Sequence, residues 1–118
     1  MKNNKIDTMI GFAVKSGNIS LGYKITKSEI NNNRVYLVIV AEDISINIKE
    51  KLEKVIENKN IYYIQYKTKE ELGNILGKNL VGVLGIKDKN MTKYIIDLIK
   101  QEVSYEDIRI IKNIERTQ

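Results

Sequence analysis

The chain contains neither cysteine nor histidine. The first absence excludes a disulfide framework and a thiol nucleophile, and the second removes the commonest metal ligand and general base. Much of enzyme chemistry is closed off by those two gaps, and no metal or cofactor is expected. Proline is absent as well, and neither a Gly/Ser-rich linker nor a repeat with a period of roughly 20 to 50 residues interrupts the chain. Nothing marks a domain boundary. No apolar run approaches the ~20 residues that span a bilayer. The opening Met-Lys-Asn-Asn-Lys-Ile-Asp lacks the apolar stretch of a secretory signal. The expectation is a cytoplasmic protein without a membrane partner.

What is present is the balance of an ordinary globular domain: 118 residues, 42% hydrophobic and 30% charged. That length suffices for one sheet covered by helices and is too short for two cores. Lysine and arginine outnumber aspartate and glutamate by 20 to 15, an excess that favours polyanions where the charges cluster and otherwise serves solubility.

Apolar periodicity places the elements. Ile6, Met9, Ile10 and Ala13 recur at helical spacing and Gly17 follows as a C-cap, which predicts a helix over 6–16. Asn18 to Leu21 alternates like a short strand, and a second helix follows Gly22 and ends by Asn31-Asn32-Asn33. Val35 to Ala41 is a nearly continuous β-branched and apolar run, the pattern of a central strand covered on both faces. Ile48, Leu52, Val55 and Ile56 mark an amphipathic third helix. Ile61 to Tyr66 is β-prone. Thr68-Lys-Glu-Glu71 is a capping box that starts a short helix, stopped at Gly77. Leu80 to Ile86 predicts another strand, with Gly82 and Gly85 letting a helix approach the sheet. Met91, Tyr94, Ile95, Leu98 and Ile99 carry a fifth helix, and the segment after Gln101 stays unassigned. Strands alternating with helices give a single α/β domain with a core over about 6–100 and a C-terminal extension over 101–118.

Two motifs resemble catalytic ones and read better as structure. Gly73-Asn-Ile-Leu-Gly77-Lys78-Asn79 is one residue too short between its glycines for a phosphate loop and follows a helix, so Gly73 is assigned to packing and Gly77 to a helix cap. Glu42-Asp43 ends the central strand, where ligands of open α/β sheets bind. No second carboxylate cluster completes such a site, and Asp43 or Ser45 is expected to cap the third helix.

The segment with most potential for binding runs from Lys15 to Lys27. Lys15, Gly17 and Asn18 precede the short strand, and Gly22, Tyr23, Lys24 and Lys27 follow it, which suggests lysines and exposed N–H groups gathered at a helix start that can hold phosphate. Lys24 and Lys27 are three apart and share a helical face. Tyr23 is a candidate to stack on an unpaired base, and Lys78-Asn79 a candidate second contact. A solvated basic face is the competing reading. Tyr36, Tyr62, Tyr63, Tyr66, Tyr94 and Tyr105 are assigned to the core or sheet faces.

The linear order of these features, from Ala13-Val-Lys-Ser-Gly17 through Gly22 and Val38-Ile-Val-Ala-Glu-Asp43 to Thr68-Lys-Glu-Glu-Leu-Gly73 and Gly77-Lys78, resembles the L-seven-Ae/L-thirty-e superfamily of ribosomal and kink-turn-binding proteins. Within it the sequence looks most similar to the bacterial YlxQ-like branch. The resemblance covers roughly residues 6 to 100. It implies a three-layer α/β/α sandwich with a mixed, about four-stranded sheet, and RNA binding through the start of the second helix and adjacent loops, without cofactor or catalytic step. Gly22 matches the family glycine, while Lys24 stands where archaeal and eukaryotic members carry asparagine, Ile25 where they carry glutamate, and Lys27-Ser28 at the next polar pair. Lysine can still donate to a guanine edge or a phosphate, whereas isoleucine supplies no acceptor. Lys78, Asn79 and Leu80 correspond to the family's second RNA-facing loop. The expectation is a monomeric, non-enzymatic, ribosomal or ribosome-associated RNA-binding protein with ribosomal proteins as further partners. The alternative is a protein-interaction or ribosome-assembly module that has lost kink-turn recognition.

Overall fold

The computed structural model describes residues 4–101 and the path of a strand at Ile108–Lys112. Five helices and five strands follow in the order α1 (Lys5–Lys15), β1 (Ile19–Leu21), α2 (Tyr23–Asn31), β2 (Leu37–Val40), α3 (Ile46–Ile56), β3 (Tyr62–Tyr66), α4 (Lys69–Leu76), β4 (Val83–Ile86), α5 (Lys89–Gln101) and β5 (Ile108–Lys112). The strands form one sheet in the order β1-β4-β2-β3-β5, with β2 at its centre as the apolar run predicts. Among the described strands β2 and β3 are the one parallel pair, joined by the crossover helix that such a pair requires. The β1–β4, β2–β4 and β3–β5 pairs are antiparallel. β5 comes from the segment the sequence left unassigned and adds an edge strand to the expected four. Tyr105 and Ile114 lie outside the described residues.

Alternation along the strands sorts the core into two layers. Leu37, Ile39, Ala41, Ile64, Leu84 and Ile86 face α1, α4 and α5, which bury Ile6, Ile10, Leu72, Leu76, Ile95 and Ile99 against them. Val38, Val40, Tyr63 and Val83 face the other way, towards Ile30 of α2 and Leu52 and Ile56 of α3. The result is the α/β/α sandwich, with both faces of β2 buried.

Two glycines set how closely the layers approach. A Cβ at Gly85 would stand 2.7 Å from Ser20 Oγ and 3.2 Å from both Thr26 Cγ2 and Val35 Cγ1, so the missing side chain lets α2 lie directly on the β1–β4 pair. Ser20 and Thr26 use that closeness for a buried hydroxyl pair at 2.9 Å. Gly82 plays no such part, because its nearest neighbour is the flexible Lys69 stem at 3.6 Å. The expected strand from Leu80 also starts later, at Val83. Val81 N–H donates instead to the Lys69 carbonyl at 3.1 Å, so α4 draws this backbone out of the ladder.

Strand directions give the sheet two distinct ends. At one, β1, β2 and β3 finish and β4 begins. At the other, β1, β2 and β3 begin and β4 finishes.

Candidate nucleic-acid interface at the start of the second helix

α2 opens on Gly22, whose φ of 91° and ψ of 158° form a turn open to glycine and strained for any other residue. Its own N–H is spent on the Val83 carbonyl at 2.9 Å, and its carbonyl accepts the first helical bond from Thr26 at 3.0 Å. No side chain caps the helix. The N–H groups of Tyr23, Lys24 and Ile25, which an α-helix leaves without internal acceptors, therefore point out of the first turn at the positive end of the helix dipole. Lys24 and Lys27 are exposed on this turn. Tyr23 is only half-exposed: its ring packs on the α2–α3 core layer, and Lys27 Nζ lies 6.0 Å from the ring centroid.

Three further segments reach the same end of the sheet. Gly82 accepts from Ala41 N–H at 2.9 Å, so the chain between α4 and β4 lies between Gly22 on one side and the end of β2 on the other. That chain exposes Lys78, Asn79 and Leu80. The loop after β2 turns into α3, where Ser45 Oγ accepts from Ile48 N–H at 3.2 Å as the helix cap. Asp43 is not a cap of α3: its Oδ1 accepts from Lys69 N–H at 2.9 Å and so stitches this loop to the first residue of α4. α4 carries the full capping box, with Thr68 Oγ1 accepting from Glu71 N–H and Glu71 Oε1 accepting from Thr68 N–H. Gly77 closes that helix in the left-handed conformation at φ 72°. A Cβ at Gly73 would run into the Asn79 carbonyl. Both glycines thus shape the Lys78–Leu80 loop, and neither belongs to a phosphate loop.

The structure divides the residues assigned from sequence. Gly22, Tyr23, Lys24, Lys27, Lys78 and Asn79 share this end. Lys15, Gly17 and Asn18 do not, because β1 runs the whole way between them and Gly22, about 13 Å at strand rise. Gly17 takes φ 77° to end α1. Asn18 accepts from Lys87 N–H at 2.9 Å and donates from Nδ2 to Ser16 Oγ at 3.1 Å, which ties it to the far end of β4. A phosphate group on the first turn of α2 is out of their reach.

Leu80 was placed in the second loop from the sequence and Ile25 was named only as a departure from the family pattern, while Ile46 was not singled out; all three are exposed. Ile25 is 57% exposed, Leu80 62% and Ile46 69%. Ile46 carries a signal in retrospect, since it falls off the Ile48, Leu52, Ile56 stripe that buries α3. Of the acids near this end, Asp43 is engaged as above and Glu71 belongs to the capping box, and among the described residues no group of three or more histidines, cysteines or acids could hold a metal ion. Nor is any helix among them long and apolar enough to cross a membrane.

Comparison with known proteins agrees with this architecture. The family model for the ribosomal protein L7Ae/L30e/S12e/Gadd45 family matches residues 4–96. "RNA-binding protein YlxQ" of Enterococcus faecium is 30% identical over 100 residues, covering 81% of this chain and 92% of the relative. "Large ribosomal subunit protein eL30" of Methanothermobacter thermautotrophicus is 36% identical over 85 residues, 70% of this chain and 87% of the relative. Among solved structures, a Bacillus halodurans C protein described as of unknown function superposes with a TM-score of 0.79 at 25% identity, covering 84% of this chain and all of that one. The Giardia lamblia 15.5kD RNA binding protein shares the fold, with a TM-score of 0.70 at 19% identity over 85% of this chain and 89% of that one. The chain belongs to the ribosomal protein L7Ae/L30e/S12e/Gadd45 family.

Proposed function

We propose that this protein binds RNA without catalysing a reaction, as a cytoplasmic ribosomal or ribosome-associated factor, and that it grips kink-turn-like RNA through the first turn of α2 and the Lys78–Leu80 loop. The observation that carries this reading is the uncapped start of α2: three N–H groups without internal acceptors, flanked by exposed Lys24 and Lys27. Such a helix end holds phosphate through N–H donors, dipole and ammonium groups together. Relatives whose names state RNA binding or a place in the large ribosomal subunit support the same reading. Lysine at position 24 can donate to a guanine edge or a phosphate, while Ile25, Ile46 and Leu80 offer an apolar surface suited to a base turned out of its stack.

The double substitution Lys24→Glu with Lys27→Glu tests the assignment. Both side chains are exposed, so cooperative unfolding should be preserved while RNA affinity falls more than tenfold. Unchanged affinity would remove α2 from the interface.

The exposed aliphatic trio also favours a second reading, in which this end docks a ribosomal protein and RNA recognition has been lost. Retention of ribosomal-protein binding by a chain that fails to bind kinked RNA at low salt would select it.

A further inference from the structure

The opposite end of the sheet holds a cleft of about 690 Å³, within the size range of small-molecule sites. One wall is a stripe of α5 running from Lys89 to Lys100, and the other is the chain entering β2 and β3, with Tyr36 and Tyr62. Nothing in the interface at α2 uses any of these residues. From the cleft geometry we infer a second binding site, one that takes a single unpaired nucleotide, its phosphate held by lysine and its base laid against tyrosine.

The cleft is predominantly basic. Four lysines line the cleft, Lys59, Lys89, Lys93 and Lys100, against one carboxylate, Asp97. Lys93 is engaged with Asp97 at 3.4 Å, and Lys59 donates to Asn33 Oδ1 at 3.1 Å. Lys89 and Lys100 have no ion-pair or hydrogen-bond partner among the described residues. They stand eleven positions apart on α5, about 16 Å along the helix, so each marks one end of the cleft.

The apolar half of the site is aromatic. Tyr36 is 39% exposed although it adjoins the buried strand β2, and Tyr62 is half-buried in the facing chain. A phenol ring at the mouth of a basic cleft is the surface on which an unpaired base stacks, worth about 1–3 kcal/mol per base in single-strand recognition. Thr92, which also lines the cleft, adds a polar group: the residue is 3% exposed, and its Oγ1 has no hydrogen-bond partner among the described residues.

A nucleotide unit can arrive free or as the unpaired end of an RNA strand, and the recognition chemistry is shared. Calorimetric titration of the full chain with adenosine 5′-monophosphate, adenosine and inorganic phosphate is the test, repeated with a 5′-phosphorylated, unpaired tetraribonucleotide. The site predicts that the monophosphate binds at least tenfold more tightly than either adenosine or phosphate alone. Lys89→Glu with Lys100→Glu should abolish that preference, Tyr36→Ala should weaken monophosphate binding severalfold, and Lys24→Glu with Lys27→Glu should leave it intact. A tetranucleotide that outcompetes the monophosphate assigns the cleft to an RNA end, and the reverse order assigns it to a free nucleotide. Absence of binding at millimolar monophosphate, equal affinity for phosphate alone, or loss of binding in the Lys24/Lys27 variant would each overturn the inference. Because the last variant separates the two ends of the sheet, failure here leaves the α2 reading standing.

Discussion

Tyr63 is fully buried on the α2–α3 side of the sheet, yet its hydroxyl meets no hydrogen-bond partner among the described residues. Burial, with a smaller contribution from the Glu53 carboxylate, pushes its phenol well above the ordinary tyrosine range. The sign of the consequence is fixed by linkage. The folded chain keeps this proton at pH values where the unfolded chain has lost it, so the contribution to stability is complete below pH ~10 and declines as pH rises above it, by up to about 1.4 kcal/mol per pH unit. Tyr63→Phe removes an unpaired hydroxyl without emptying the site. Urea unfolding should give the variant equal or higher stability at pH 7, and an advantage over the parent that grows between pH 10 and 11. A constant difference across that window would contradict the assignment. The glycines make an equally sharp residue-scale claim. Gly73→Ala drives a methyl into the Asn79 carbonyl, and Gly85→Ala drives one into the Ser20–Thr26 pair. Overpacking of this kind costs about 1–3 kcal/mol. Gly82→Ala, with only the Lys69 stem nearby, should stay within about 1 kcal/mol of the parent in the same unfolding measurement.

At the scale of elements, the local signals were read well and the long-range ones were not. The Thr68–Glu71 capping box and the Gly77 stop are both present because each is decided within a few residues of its own helix. Asp43 and Ser45 were the two candidate caps of α3; Ser45 takes that role, and Asp43 instead holds the start of α4 across a separation of 26 residues. That contact depends on β2 and β3 ending side by side, which no local pattern reveals. Hydrogen exchange separates the two roles. Asp43→Ala should lower protection at the beginning of α4 and leave α3 unchanged, whereas Ser45→Ala should do the reverse, each at a cost of about 1 kcal/mol. Loss of α3 protection on Asp43→Ala would contradict the assignment of Ser45 as its cap. Tyr36 and Tyr94 were misjudged for a related reason. Tyr36 precedes β2 by one residue and escapes its burial, and Tyr94 sits off the Ile95–Ile99 stripe of α5, so both remain about two-fifths exposed.

For the molecule as a whole, the layer order was legible because apolar runs and helical stripes alternate along the chain. The composition of the site was only half legible. The basic segment from Lys15 to Lys27 is continuous in sequence, but β1 passes through its middle and carries its two parts to opposite ends of the sheet. The positive excess is accordingly shared: Lys24, Lys27 and Lys78 stand at the end where α2 begins, and Lys89 and Lys100 at the end where the cleft opens. Ile25, Ile46 and Leu80 are exposed on three separate segments, α2, α3 and the loop before β4, which is why the apolar side chains near the α2 end had no signature in any one stretch.

The central claim is specific recognition of bent RNA at the α2 end. Its most direct test is a titration of labelled kink-turn RNA with the full chain at 50 and 200 mM salt, beside a duplex of equal length that lacks the bulge. The account predicts more than tenfold preference for the kinked RNA at both salt concentrations, with affinity for each falling steeply as salt rises because phosphate contacts release counterions. Equal, salt-sensitive affinity for the two RNAs would contradict it and leave a basic domain whose specificity lies with a protein partner.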